Sequence, residues 1–84
     1  GRPEDVLAQT EAVSEMDRAI AALSPRLRAV FTLRDVDELS THETAEALGL
    51  SESAVKVSLH RARLALREQL SAYFIERRGN HQEA

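Results

Sequence analysis

The chain has 84 residues, with 11 Lys+Arg against 14 Asp+Glu and a formal net charge of -3. It contains no Cys and no Trp, two Pro and three Gly, and 43 % of it is hydrophobic. These figures fit one all-α domain, exclude a disulfide scaffold, a thiolate zinc site and thiol chemistry, and leave no apolar run near the roughly 18 residues of a membrane span. The expected class is a soluble, cytoplasmic, compact four-helix domain over residues 1–84. The chain opens at Gly1 rather than Met, with no signal-peptide pattern, and reads as a domain excised from a longer protein.

Val6, Val13, Met16, Ile20 and Leu23 recur at helical spacing, so residues 4 to 23 predict an amphipathic helix. Ser24-Pro25 restarts the chain, with Ser24 as cap and Pro25 at the first helical position, where its missing N–H is not needed. The second helix turns Leu27, Val30, Phe31 and Leu33 to the core and fades through Asp35-Val36-Asp37. Ser40-Thr41-His42-Glu43 has the capping-box pattern, which starts a short third helix over 41 to 48. Gly49 then sits where a left-handed residue ends it. Ser51 caps a fourth, long helix with no breaker until Gly79. Its stripe is Val55, Leu59, Ala62, Leu66, Leu70 and Tyr73, about 80° wide at 100° per residue. Tyr73 and Phe74 are expected to close the core, and the tail from Asn80 to fray.

Charge is unevenly spread. Residues 1–52 carry five Arg and eleven Asp/Glu; residues 53–78 carry Lys56, Arg61, Arg63, Arg67, Arg77 and Arg78 against Glu68 and Glu76. A basic helix on an acidic body can still recognise phosphate, because the local field decides. A short capped helix, a turn with Gly49 and a second capped helix make a helix-turn-helix pattern. Ala45 supplies the small side chain that a steep crossing needs, and Leu48, Leu50, Val55 and Leu59 supply the apolar contacts. With Val55 inward, Ser53, Val57, His60 and Leu64 point outward, flanked by Lys56, Arg61 and Arg67. Such a face suits the major groove. Lys56 and Arg61 can donate to guanine, His60 can bond or stack on a base edge, and Val57 can pack on a thymine methyl. Solvated charge and an ordinary helical hairpin are the plain alternatives.

The stretches Leu23-Ser24-Pro25-Arg26-Leu27-Arg28-Ala29-Val30-Phe31-Thr32-Leu33-Arg34-Asp35-Val36-Asp37-Glu38-Leu39-Ser40, Glu43-Thr44-Ala45-Glu46-Ala47-Leu48-Gly49-Leu50-Ser51, Ala54-Val55-Lys56 and Leu59-His60-Arg61-Ala62-Arg63 closely resemble region 4 of sigma-70 family factors. Within that family the chain looks most like the extracytoplasmic-function group, over about residues 17 to 70. The resemblance implies the carboxy-terminal part of a sigma factor, which is not an enzyme and needs no cofactor. Its fourth helix would read the minus-35 element of promoter DNA. Its partners would be RNA polymerase, through the beta-flap, and an anti-sigma factor.

Carried over by position, Lys56, Val57, His60 and Arg61 would meet base edges. Arg34, Thr41, His42 and Arg63 would meet the DNA backbone, Arg63 with a base edge as its second option, and Ser53 and Arg67 complete the expected phosphate contacts. Phosphate contacts set register and salt dependence, and base contacts set sequence choice. Two positions depart from the family pattern. Ser58 stands where Arg is common, which would remove a phosphate contact, and His42 stands where an acid is common.

Other readings are weaker. His42-Glu43 lacks the second His of a metalloprotease helix, because position 46 is Glu46. Asp35, Asp37, His42 and His60 suit helix ends and a groove face better than a metal, and Ser24, Ser40 and Ser51 are caps rather than nucleophiles. A LuxR-type response-regulator domain shares Ala54-Val55-Lys56-Val57, but its recognition helix would be shorter. A protein-interaction module that has lost DNA binding would use the exposed pair Leu64 and Ile75.

Overall fold

A computed structural model describes residues 3–82, with side chains described for 6, 7 and 9–76. All its regular structure is helical. The elements are α1 (Pro3–Ala22), α2 (Pro25–Phe31), a π-helical turn (Thr32–Val36), α3 (Thr41–Leu48) and α4 (Glu52–Gln82). The basic residues Arg77 and Arg78 lie outside the described side chains, and of the expected frayed tail Glu83 and Ala84 lie outside the described residues. α4 runs through Gly79 and ends at Gln82, so the break expected there does not occur. Among the described residues no helix is long and apolar enough to cross a membrane.

The chain divides into two compact units, residues 23–65 and residues 1–22 with 66–84. The first contains the pattern of interest. Ser24 accepts from the Leu27 N–H at 3.4 Å with Pro25 in the first turn, so α2 starts as its punctuation dictates. Val30 and Phe31 are buried, while Leu27 and Leu33 are half-buried. Full burial of a side chain of this size is worth about 1.5–3 kcal/mol.

α2 does not simply fade. It widens into the π turn, where the Asp37 N–H reaches back to the Thr32 carbonyl at 2.9 Å. Glu38 then takes a left-handed conformation at φ 59, and the Leu39 N–H returns to the Leu33 carbonyl at 2.9 Å. These bonds satisfy carbonyls that the end of the helix would otherwise leave open.

The capping box of α3 is fully formed. Ser40 accepts from the Glu43 N–H at 3.0 Å, and the Glu43 carboxylate accepts from the Ser40 N–H at 2.9 Å. The Ser40 backbone N–H first, and its hydroxyl second, hold the Glu43 carboxyl below its ordinary value. Gly49 ends the helix at φ 66. Ser51 starts α4 by accepting from the Ala54 N–H at 3.1 Å. Thr44 and Ala45 of α3 and Val55, Ser58, Leu59 and Ala62 of α4 are buried.

In the second unit α1 and the later part of α4 contribute Ala19 and Leu66 as buried residues. Met16, Ile20, Leu70 and Tyr73 are half-buried. The expected inward stripe of α1 is corrected at its first two positions, since Val6 and Val13 are 55 % and 61 % exposed. Phe74 also faces out rather than closing the core, and its ring meets the Tyr73 ring edge-on at 5.1 Å. Leu64 and Ile75, each in a different unit, are both exposed as anticipated.

Candidate nucleic-acid interface

Two capped helices and a glycine turn set the geometry. α3 and α4 are joined by Gly49-Leu50-Ser51, where the Leu50 N–H donates to the Ala45 carbonyl at 3.0 Å. That bond, the αL glycine and the Ser51 cap fix where α4 begins. Val55 is fully buried and Leu59 nearly so. The helical period then forces the outward face. Ser53, Lys56, Val57, His60, Arg61 and Leu64 are all exposed. Val57 leaves 49 % of its surface in water. Lys56 and Arg61 make no ion pair among the described residues. Arg67 is also exposed and belongs to the other unit. Thr41 is half-buried at the start of α3.

Three of the residues expected on phosphates are engaged inside the protein. The Arg34 guanidinium donates from one terminal nitrogen to the Leu39 carbonyl, and its Nε is buried. It clamps the loop after the π turn. Arg63 makes a side-on, two-bond fork with Asp35, Nε to Oδ2 at 2.9 Å and Nη2 to Oδ1 at 2.7 Å. Hydrogen bonding from Arg63 is the main reason the Asp35 carboxyl lies below its ordinary 3.8. With half of the Arg63 side chain in solvent, screening keeps the pair's contribution to stability at about 1 kcal/mol or less.

His42 lies between two carboxylates, with Nε2 3.1 Å from Glu46 and Nδ1 3.5 Å from Glu52. The partners Asp35, Glu46 and Glu52 were not evident from sequence, because two of the three contacts join different elements.

Ser58 is 5 % exposed. It stands on the inner side of α4, so its hydroxyl is not on the surface where a phosphate contact would have been lost. Its place could have been read from the helical period, since it falls three residues after Val55 and four before Ala62.

These features define a helix-turn-helix domain whose second helix presents an outward face of Lys, Val, His and Arg. The description "Sigma-70, region 4" matches residues 14–66. The chain is 39 % identical over 82 residues to the RNA polymerase sigma-E factor of Streptomyces antibioticus, covering 98 % of this chain and 46 % of that protein. It is 44 % identical over 64 residues to the sigma-E factor of Streptomyces coelicolor, covering 76 % of this chain and 36 % of the relative. The ECF RNA polymerase sigma factor SigW of Bacillus subtilis is 38 % identical over 68 residues, 81 % of this chain and 36 % of that protein. No solved structure matches significantly. The chain belongs to the sigma-70 family as a region 4 domain of the extracytoplasmic-function type. It spans less than half the length of these relatives. The family membership leaves the response-regulator alternative without support, and the relatives are named as polymerase sigma factors rather than enzymes.

Proposed function

We propose that this domain binds promoter DNA as part of a sigma factor and so helps to direct RNA polymerase to its start sites. The observation that carries the reading is the orientation of α4, with Val55 and Leu59 inward and Lys56, Val57, His60 and Arg61 outward. In the major groove of the minus-35 element, Lys56 and Arg61 donate to guanine O6 and N7. His60 bonds or stacks on a base edge, and Val57 packs on a thymine methyl. Thr41, Ser53 and Arg67 meet phosphates. Arg34, His42 and Arg63 belong to the same set of contacts only when their internal partners release them.

The beta-flap of the polymerase is the proposed protein partner. An anti-sigma factor is the proposed regulator, with Leu64 or Ile75 as an apolar anchor. Tethering to polymerase raises the domain's effective concentration at the promoter.

The test is a footprint of the minus-35 element by the intact factor with polymerase, with Lys56→Ala plus Arg61→Ala as the variant. Loss of minus-35 protection with retained polymerase binding is expected. Unchanged protection would refute the reading. Salt-independent behaviour of the intact protein with DNA would favour a pure protein-interaction module instead.

A further inference from the structure

We propose that Asp35 limits the strength and salt dependence of DNA binding by holding the Arg63 guanidinium in an internal fork, which withholds a cation of α4 from the phosphate backbone. The inference rests on the reading of α4 as the DNA-facing helix and adds to it a positioning residue outside that helix.

Arg63 follows Lys56 by seven residues. Two turns along one flank place it about 10.5 Å further along the axis, beside the same outward face. Residues 53–65 contain three formal cations, Lys56, Arg61 and Arg63, and no acid. Only Arg63 is neutralised, by a residue 28 positions away. The fork uses Nε and one terminal nitrogen, the edge with which an Arg also grips a phosphate in two-bond fashion. Asp35 and a phosphate therefore compete for one edge of one side chain.

The π turn fixes Asp35 for this task. Its backbone is held by the Asp37-to-Thr32 and Leu39-to-Leu33 hydrogen bonds. The neighbouring Arg34 donates to the Leu39 carbonyl, so no second guanidinium shares the carboxylate by hydrogen bond. The carboxylate stays ionised at neutral pH and does not release Arg63 by protonation there. Release requires a competing anion.

The experiment measures binding of the 84-residue chain to a mixed-sequence B-form duplex as a function of salt, by fluorescence anisotropy. Each phosphate neutralised adds about 0.9 to the steepness of log K against log salt. Asp35→Asn frees Arg63 and is expected to steepen the slope by up to about 0.9, with binding at 0.1 M salt tighter by at most about fivefold, the most that a half-exposed fork can withhold. Asp35→Asn plus Arg63→Gln is expected to return the slope to that of the parent chain. Arg63→Gln alone should leave the slope unchanged, which gives a second arm independent of the folding of Asp35→Asn.

An unchanged slope in a folded Asp35→Asn chain would overturn the inference. So would a slope flattened by about 0.9 in Arg63→Gln, which would place Arg63 on a phosphate already. Failure of the parent chain to bind duplex even at low salt would overturn this inference, while the footprint with the intact factor and polymerase separately decides the DNA-binding reading.

Discussion

Val55 and Val57 are the same residue type, two positions apart on one helix, and the account gives them opposite roles. Val55→Ala removes two carbons from a fully buried site. The lost transfer free energy is about 1.6 kcal/mol at ~0.8 per carbon. A cavity term of up to about 1 kcal/mol adds to it, at ~24 cal/mol per Å³ of a void of some 40 Å³. Alanine's better helix propensity returns about 0.5 kcal/mol, which leaves a net loss of roughly 2 kcal/mol.

Val57 is 49 % exposed, so the same truncation loses about half the transfer energy, ~0.8 kcal/mol, and leaves no cavity. The propensity gain of about 0.5 kcal/mol brings the net change to within a few tenths. Thermal unfolding followed by circular dichroism reads the contrast. Val55→Ala should lower Tm by about 8–16 °C and Val57→Ala by no more than about 3 °C. In duplex binding the order reverses. Val57→Ala loses preference for a thymine-containing site, whereas Val55→Ala keeps that preference at temperatures where it is folded. Equal losses of stability, or a larger loss for Val57→Ala, would refute the assignment of inner and outer faces.

Three further outcomes follow from local geometry. Gly49→Ala forces an L side chain to φ 66 with no atom within 4 Å of the new Cβ, so the cost is backbone strain alone, about 1 kcal/mol by denaturant titration. Ala45→Leu adds bulk at a buried position beside the turn and should destabilise by about 1–3 kcal/mol, with the same titration as readout. The Asp35 and Glu43 carboxyls both lie below their ordinary values of 3.8 and 4.5. As pH falls the unfolded chain takes up their protons first, so the stability they add is complete above those values and is lost as pH drops through the native ones. Tm measured from neutral pH down to about 3 should fall along that window, and Asp35→Asn should flatten the fall.

Caps were readable from sequence because their chemistry is local. Ser24, Ser40 with Glu43, Gly49 and Ser51 each act within a few residues of themselves, and all four take the expected conformations or bonds. The face of α4 was readable for a related reason, since one long uninterrupted period around Val55 leaves little choice of direction. The stripe of α1 was not. Val6 and Val13 satisfy helical spacing and still face out, because periodicity identifies a face without identifying what covers it.

The π turn escaped for another reason. It differs from an α-helical end by one backbone hydrogen-bond step, and no residue in Thr32–Val36 marks that step. The ties of Arg34 and Arg63, and the contact of His42 with Glu52, depend on carbonyls and carboxylates brought near by folding, which is why residues expected on phosphates are found partnered within the protein. Ser58, aligned with Val55 and Ala62 by the helical period, lies on the inner side of α4.

The proposed DNA-binding role requires α4 to enter DNA with its outward residues. Backbone amide chemical-shift mapping of the 84-residue chain, titrated with a duplex at low salt, tests this directly. The largest shifts are predicted along Ser53–Arg61 and at the start of α3 around Thr41 and His42, with those residues losing solvent exchange on binding. Shifts concentrated elsewhere, with Lys56, Val57, His60 and Arg61 unmoved by saturating DNA, would contradict it.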